Sequence, residues 1–298
     1  MDLKTALQPR KNTFKRYKLE ITGQPKTGKT TLAYTASAHC PPPVKWDPKN
    51  PVELPDMLGI QFEENSNMYL AEKGIVIPNM LDWSDPGITW KDLKPVIKAL
   101  PAAAAQYKAQ GITTVVVDTL SSFNRFLLRE IIERPNYEKD MDRIKAYGIV
   151  DEAHYLLFDM LNEMGLNIIA LVHLQAFTPF GEDGGGTSAM AQELKKQAAK
   201  QEVKLEANQV QGMRTSYIPN MRPKPAGHWA KLVDAVLVAK PEMKTIKAGE
   251  EKLVYKFITQ TDGEFSAGGR WEIPPVNDGY LRPHIEARYV AVRNSNSK

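Results

Sequence analysis

Gly23-Gln24-Pro25-Lys26-Thr27-Gly28-Lys29-Thr30 is the stretch on which the reading of this chain turns. It satisfies the phosphate-binding pattern G-x-x-x-x-G-K-[ST] at every fixed position. Residues 17–22 before it alternate apolar and polar as a strand does, and residues 31–38 after it carry a helical pattern. A glycine-rich turn between strand and helix points successive backbone N–H groups inward, and the helix N-terminus adds partial positive charge. Lys29 is then expected to reach the β- and γ-phosphates of a nucleoside triphosphate. The Thr30 hydroxyl is expected to ligate Mg²⁺, with Thr31 completing the segment.

The rest of the composition narrows the class. The chain has 298 residues, 42% of them hydrophobic, enough for a sizeable core in one large α/β domain with insertions or in two modest ones. No apolar run approaches the roughly 18 residues of a membrane helix. The N-terminus lacks the apolar segment of a secretory signal, so a cytoplasmic protein with no membrane partner is expected. Cys40 is the single cysteine, which leaves no internal disulfide and no cysteine-built zinc site. A net charge of +4 is too mild to imply a polyanionic partner. Residues 1–14 nevertheless read as a basic arm, since Lys4, Arg10, Lys11, Lys15, Arg16 and Lys18 face Asp2 alone over the first eighteen positions.

Strands are expected at 17–22, 57–62, 74–78, 112–117 and 167–173, and helices at 90–110, 122–132 and 146–164, with Pro101 kinking or splitting the first. Buried strands alternating with helices predict a mostly parallel central sheet with helices on both faces. Strand character is expected again over 229–238, and a C-terminal β-hairpin between 253–259 and 265–273. The glycine-, lysine- and glutamine-rich region 176–226 is set apart as a functional segment.

The chemistry following the P-loop needs an acidic residue at a neighbouring strand end. Asp118 closes an apolar run and is the expected Mg²⁺ partner of Thr30. The next residue is Thr119 rather than a glutamate, so the carboxylate that activates water must come from elsewhere. Glu63 and Glu64, at the end of the run 57–62, are the two candidates. His173 and Gln175, at the end of 167–173, are candidate γ-phosphate sensors. Arg270 is the candidate arginine finger acting from a neighbouring subunit, with Lys256 as a weaker one.

This order of motifs, carried by Gly23–Thr30, residues 60–64, 115–119 and 168–175 and the glycine-rich 180–186, resembles the RecA-type ATPase core. Within it the chain is similar to phage-encoded ATPases of single-strand annealing and recombination. The resemblance implies a RecA-like ATPase domain over 15–275 and a tail over 276–298. It also implies ATP with Mg²⁺, and a homo-oligomer on single-stranded DNA that meets a single-strand DNA-binding protein. It places DNA-contacting loops at 120–145 and 176–226, with Arg125, Arg129, Lys195, Lys196, Lys200, Arg214 and Arg222 on phosphates. Two other readings stay open: a P-loop motor that remodels protein partners, and an ATP-bound annealing scaffold that does not turn over.

Overall fold

The computed structural model describes residues 16–40, 47–64, 66–133, 143–177, 216–247, 250–260, 267–269, 271, 273, 276 and 280–295. The chain opens with β1 (Lys18–Gly23) and the short α1 (Lys29–Tyr34), separated by the phosphate-loop sequence. β2 (Val52–Glu53), β3 (Met57–Gln61), α2 (Ser66–Glu72), β4 (Ile75–Val76) and β5 (Asn79–Asp82) follow. Next come α3 (Trp90–Ala109), β6 (Thr114–Asp118) and α4 (Leu120–Leu128), which runs into a π-helical turn, Arg129–Glu133. The last part holds α5 (Arg143–Met164), β7 (Asn167–Phe177), β8 (Ser216–Pro219), α6 (Pro223–Leu232), β9 (Ala235–Lys247), β10 (Glu250–Ile258), β11 (Gly268–Gly269) and α7 (Arg282–Ser295).

The main sheet has the order β10-β9-β1-β7-β6-β3-β5. Every pairing from β9 to β5 is parallel, and β10 joins β9 antiparallel. β7 lies between the P-loop strand β1 and the Asp118 strand β6, in a mostly parallel α/β sheet. Because helices cover both faces, the central strands are buried throughout and read as unbroken apolar runs rather than as alternation. One face packs Val115, Val117, Ile168 and Ala170 under α3, α4 and α5. The other packs Leu19, Ile21, Val116 and Leu171 with α1 and the C-terminal segment.

Several local expectations change in three dimensions. α3 is not split at Pro101. Thr89 and Asp92 close a reciprocal capping box, and burial of Leu93, Ile97, Leu100 and Ala104 outweighs the hydrogen bond that Pro101 cannot donate. Trp229 lies in α6 rather than on a strand. Pro223 opens that helix at a position where a missing N–H costs nothing, and the Trp229 ring packs edge-on to Phe158 at 4.8 Å. Strand β9 begins only at Ala235.

Among the described residues the expected hairpin of 253–259 with 265–273 is replaced by one of β9 with β10, because β10 leaves β9 at Val238 and β11 takes up the same edge of β9 at Ala235 and Val236. Residues 276–298, read as a tail, contain α7. Leu281 and Ile285 of this segment sit in the core, the Tyr280 hydroxyl donates to the Cys40 carbonyl at 2.8 Å, and the Leu281 N–H donates to Thr35 Oγ1 at 2.9 Å. The described part of 120–145 is helical rather than a loop, with Phe123 and Leu127 buried.

Candidate nucleotide site

Parallel register brings the ends of β1, β3 and β6 to one sheet edge beside His173, where β7 runs on to Phe177 instead of ending at residue 173. Gly23 of β1 pairs with His173 of β7, and Gln61 of β3 pairs with Asp118 of β6. Past Gly23 the chain turns through Lys26 at φ 65° and Gly28 at φ 84°. Gly28 caps α1 in the left-handed region, which a side chain would strain. Gly23 is needed for a different reason. A Cβ there would sit 2.7 Å from both the Ala239 Cβ and the Thr27 Oγ1.

Within the loop the Lys29 ammonium donates to the Gly23 and Gln24 carbonyls at 3.1 and 2.8 Å. Burial pulls the Lys29 amine down to about 8, against the opposing pull of the Asp118 and Glu63 carboxylates. Thr27 Oγ1 donates to the Gln24 carbonyl at 2.9 Å and fixes the loop from inside.

Asp118 is the centre of a second cluster. Thr30 Oγ1 and Ser66 Oγ both donate to Asp118 Oδ2, each at 3.1 Å. Asp118 Oδ1 is buried with no hydrogen-bond partner among the described residues, as is Thr31 Oγ1. Burial first, and the Glu63 charge second, push the Asp118 carboxyl up to about 6, while the two hydroxyls hold it down. A buried carboxylate with one oxygen shared by a P-loop hydroxyl and the other unpartnered fits a Mg²⁺ ion. Such an ion needs one or two protein oxygens and takes the rest from phosphate and water. Ser66, at the start of α2, was missed in the sequence because a lone serine after an acidic loop carries no pattern.

Glu63 follows β3 and meets His173 across the sheet edge, with His173 Nε2 3.2 Å from Glu63 Oε2. That hydrogen bond, with the charges of His173, Lys29 and Arg125, holds the Glu63 carboxyl below the usual range despite its partial burial. The His173 backbone is fixed as well, its N–H donating to Ser121 Oγ at 2.9 Å and its carbonyl accepting from the Asn220 N–H at 2.7 Å. Glu64 is exposed, and so is Gln175, two residues further along β7. A cleft of about 740 Å³ opens beside this group, lined among others by Pro25, Phe62, Glu63, Glu64, Arg125 and His173.

The remaining candidates separate. Arg125 and Arg129 lie on the cleft wall, but Asp85 and Glu133 line it too, so with Glu63 and Glu64 the acids there outnumber the arginines. Arg129 also reaches Glu130 at 3.6 Å and the Phe126 ring at 5.7 Å. Arg222 is held inside the fold, its Nε and Nη2 donating to the two Asp151 oxygens at 2.7 and 3.3 Å over the Tyr147 ring. Lys195, Lys196, Lys200, Arg214 and Arg270 lie outside the described residues.

The chain matches the family described as AAA domain over residues 15–271. No curated protein matches the sequence. Among solved structures, a KaiC-like protein from the hyperthermophilic archaeon Pyrococcus horikoshii OT3 is similar at 15% identity, over 84% of this chain and 83% of that one, with a TM-score of 0.34. No helix among the described residues is long and apolar enough to cross a membrane.

Proposed function

This chain belongs to the AAA domain family of P-loop ATPases, and we propose that it hydrolyses Mg²⁺-ATP to control its grip on single-stranded DNA. The observation that carries the ATPase half is the pairing of Thr30 with Asp118 across the sheet, with Asp118 Oδ1 unpartnered and the Glu63–His173 pair alongside. When bound, ATP and Mg²⁺ supply the electrophilic phosphorus and the cation that neutralises its oxygens.

The chain's own residues do the rest. Lys29 exchanges the carbonyls of Gly23 and Gln24 for phosphate oxygens. Thr30 and Asp118 would hold the metal. Glu63 orients the attacking water and takes its proton, and His173 keeps Glu63 in place. Arg270, from a neighbouring copy in a homo-oligomer, completes the charge balance.

The DNA half rests on the order of motifs and on the basic residues of 176–226, and a role in recombination or single-strand annealing follows from it. The test is ATP turnover by the wild type and by Lys29→Ala, each with and without a single-stranded oligonucleotide at low salt. Lys29-dependent turnover that rises with the oligonucleotide is the expected result. Turnover indifferent to DNA but raised by a protein partner would replace this reading with a remodelling motor. Tight nucleotide binding without turnover would leave a scaffold.

A further inference from the structure

β9 outruns the sheet that holds it. It pairs with β1 only from Ala235 to Val238, and Gly23 then leaves for the phosphate loop. From Ala239 onward, the one strand paired with it among the described residues is β10, in antiparallel register up to Lys247. The two strands therefore continue past the nucleotide edge as a ribbon, about 24 Å long from Lys240 to Lys247 at the rise of a strand. Its root is pressed against the phosphate loop, since Ala239 Cβ occupies the space that a side chain on Gly23 would need.

The register of this ribbon sorts its residues by charge. Lys240 stands opposite Lys256 and Lys244 opposite Lys252, with Glu242 and Val254 between the two rungs. Directly opposed residues share a face, so the positions of four lysines and one glutamate fall on one side. Pro241, Met243, Leu253 and Tyr255 take positions on the other side. Lysine directly opposite lysine weakens a ladder, and here it occurs on two rungs of one face. Glu242 offsets part of the charge, its carboxylate lying 3.9 Å from the Lys256 ammonium. Lys244 and Met243 are exposed.

We infer that this lysine face is a nucleic-acid contact, binding the phosphate backbone of the single strand next to the nucleotide site. The rungs lie about 13 Å apart along the ribbon. A chain with a charge at every nucleotide engages both rungs, whereas an isolated carboxylate or triphosphate engages one. The cleft beside Glu63 is no substitute, because acids outnumber arginines on its walls. The inference deepens the DNA half of the proposed function and rests on it. It also gives a route from DNA to ATP, since the ribbon's root touches the loop that holds the phosphates.

The test uses the full chain with Lys240, Lys244 and Lys252 all changed to glutamine, and a second variant, Glu242→Lys. Binding to a labelled oligothymidylate is followed by anisotropy between about 50 and 200 mM NaCl. The glutamine variant should lose at least tenfold in affinity at the low-salt end, and its salt slope should shrink by about 0.7 for each phosphate it no longer neutralises. Its affinity for a fluorescent ATP analogue should stay at the wild-type value. Glu242→Lys should bind more tightly and with a steeper slope, a gain that misfolding does not imitate.

Wild-type affinity and slope in both variants would overturn the assignment while leaving DNA binding itself intact. No binding by the wild type would overturn the DNA half of the proposed function together with it. Unchanged oligonucleotide binding with a collapse of DNA-free turnover would also overturn it, by showing that the lysines serve a neighbouring copy's nucleotide.

Discussion

His173 Nε2 lies 3.2 Å from Glu63 Oε2, a contact between residues 110 positions apart. It separates Glu63 from the adjacent Glu64. Glu63 is tied into the site and feels the Lys29 charge, while Glu64 is exposed. Glu63→Gln is expected to lower turnover by about 10²-fold and Glu64→Gln to leave it near wild type, measured as phosphate release at saturating ATP. Normal turnover in both variants would remove this strand end from the mechanism.

The same contact sets a pH dependence. The His173 hydrogen bond is the largest of the influences that keep the Glu63 carboxyl below its ordinary range. In His173→Ala that carboxyl becomes harder to ionise. The acid limb of the turnover–pH profile should then move to higher pH, since the base form disappears earlier as pH falls. An acid limb that stays where it is would show that Glu63 is not the group titrating.

Asp118 is held for binding at the expense of stability. Its carboxyl is buried, and its ionised form is disfavoured up to about 6. Asp118→Asn should therefore melt at or above the wild-type temperature without ligand, because a buried charge is removed and the Thr30 and Ser66 hydroxyls keep an acceptor. The same variant should lose the additional thermal shift that Mg²⁺ gives over ATP alone. A Mg²⁺-dependent shift equal to that of the wild type would exclude Asp118 as a ligand.

Glu20 sits at the middle of β1 between its register partners Ala170 and Val236, with Oε2 buried and unpartnered among the described residues. Burial pushes its carboxyl up to about 8. The folded chain thus retains a proton that the unfolded chain releases from about pH 4.5 upward, so stability falls as pH rises from there to about 8. On this count the loss at pH 8 is on the order of 4 kcal/mol as an upper figure. Glu20→Gln should flatten that limb and raise the melting temperature most at pH 8, read by thermal unfolding across pH. A parallel shift at all pH values would rule out ionisation as the cause.

Arg222 should behave as a structural residue. Its two-pronged pair with the buried Asp151 joins the segment entering α6 to α5. Arg222→Ala leaves that carboxylate without its charged hydrogen bonds and should cost about 2 kcal/mol in urea unfolding, with oligonucleotide affinity unchanged. Arg222→Met with Asp151→Leu should recover most of the loss. A variant that keeps its stability but loses affinity would return Arg222 to the DNA path.

The P-loop, the strands around it and the strand-end position of Asp118 are legible from the residues alone. Each depends on short-range chemistry: backbone N–H groups and a hydroxyl within eight residues, or an apolar run long enough to be buried on both faces. Trp229 and residues 276–298 were less legible, because an apolar helix face and a short strand carry the same residues until a neighbour such as Phe158 or Thr35 selects between them. The contacts that make the loop a site exist only in the folded chain. Thr30 meets Asp118 across 88 residues as the order of motifs leads one to expect, but Ser66 with Asp118 and Glu63 with His173, joined across 52 and 110 residues, carry no local signal. Parallel register places those strand ends side by side, and no local pattern encodes which side chains then face each other.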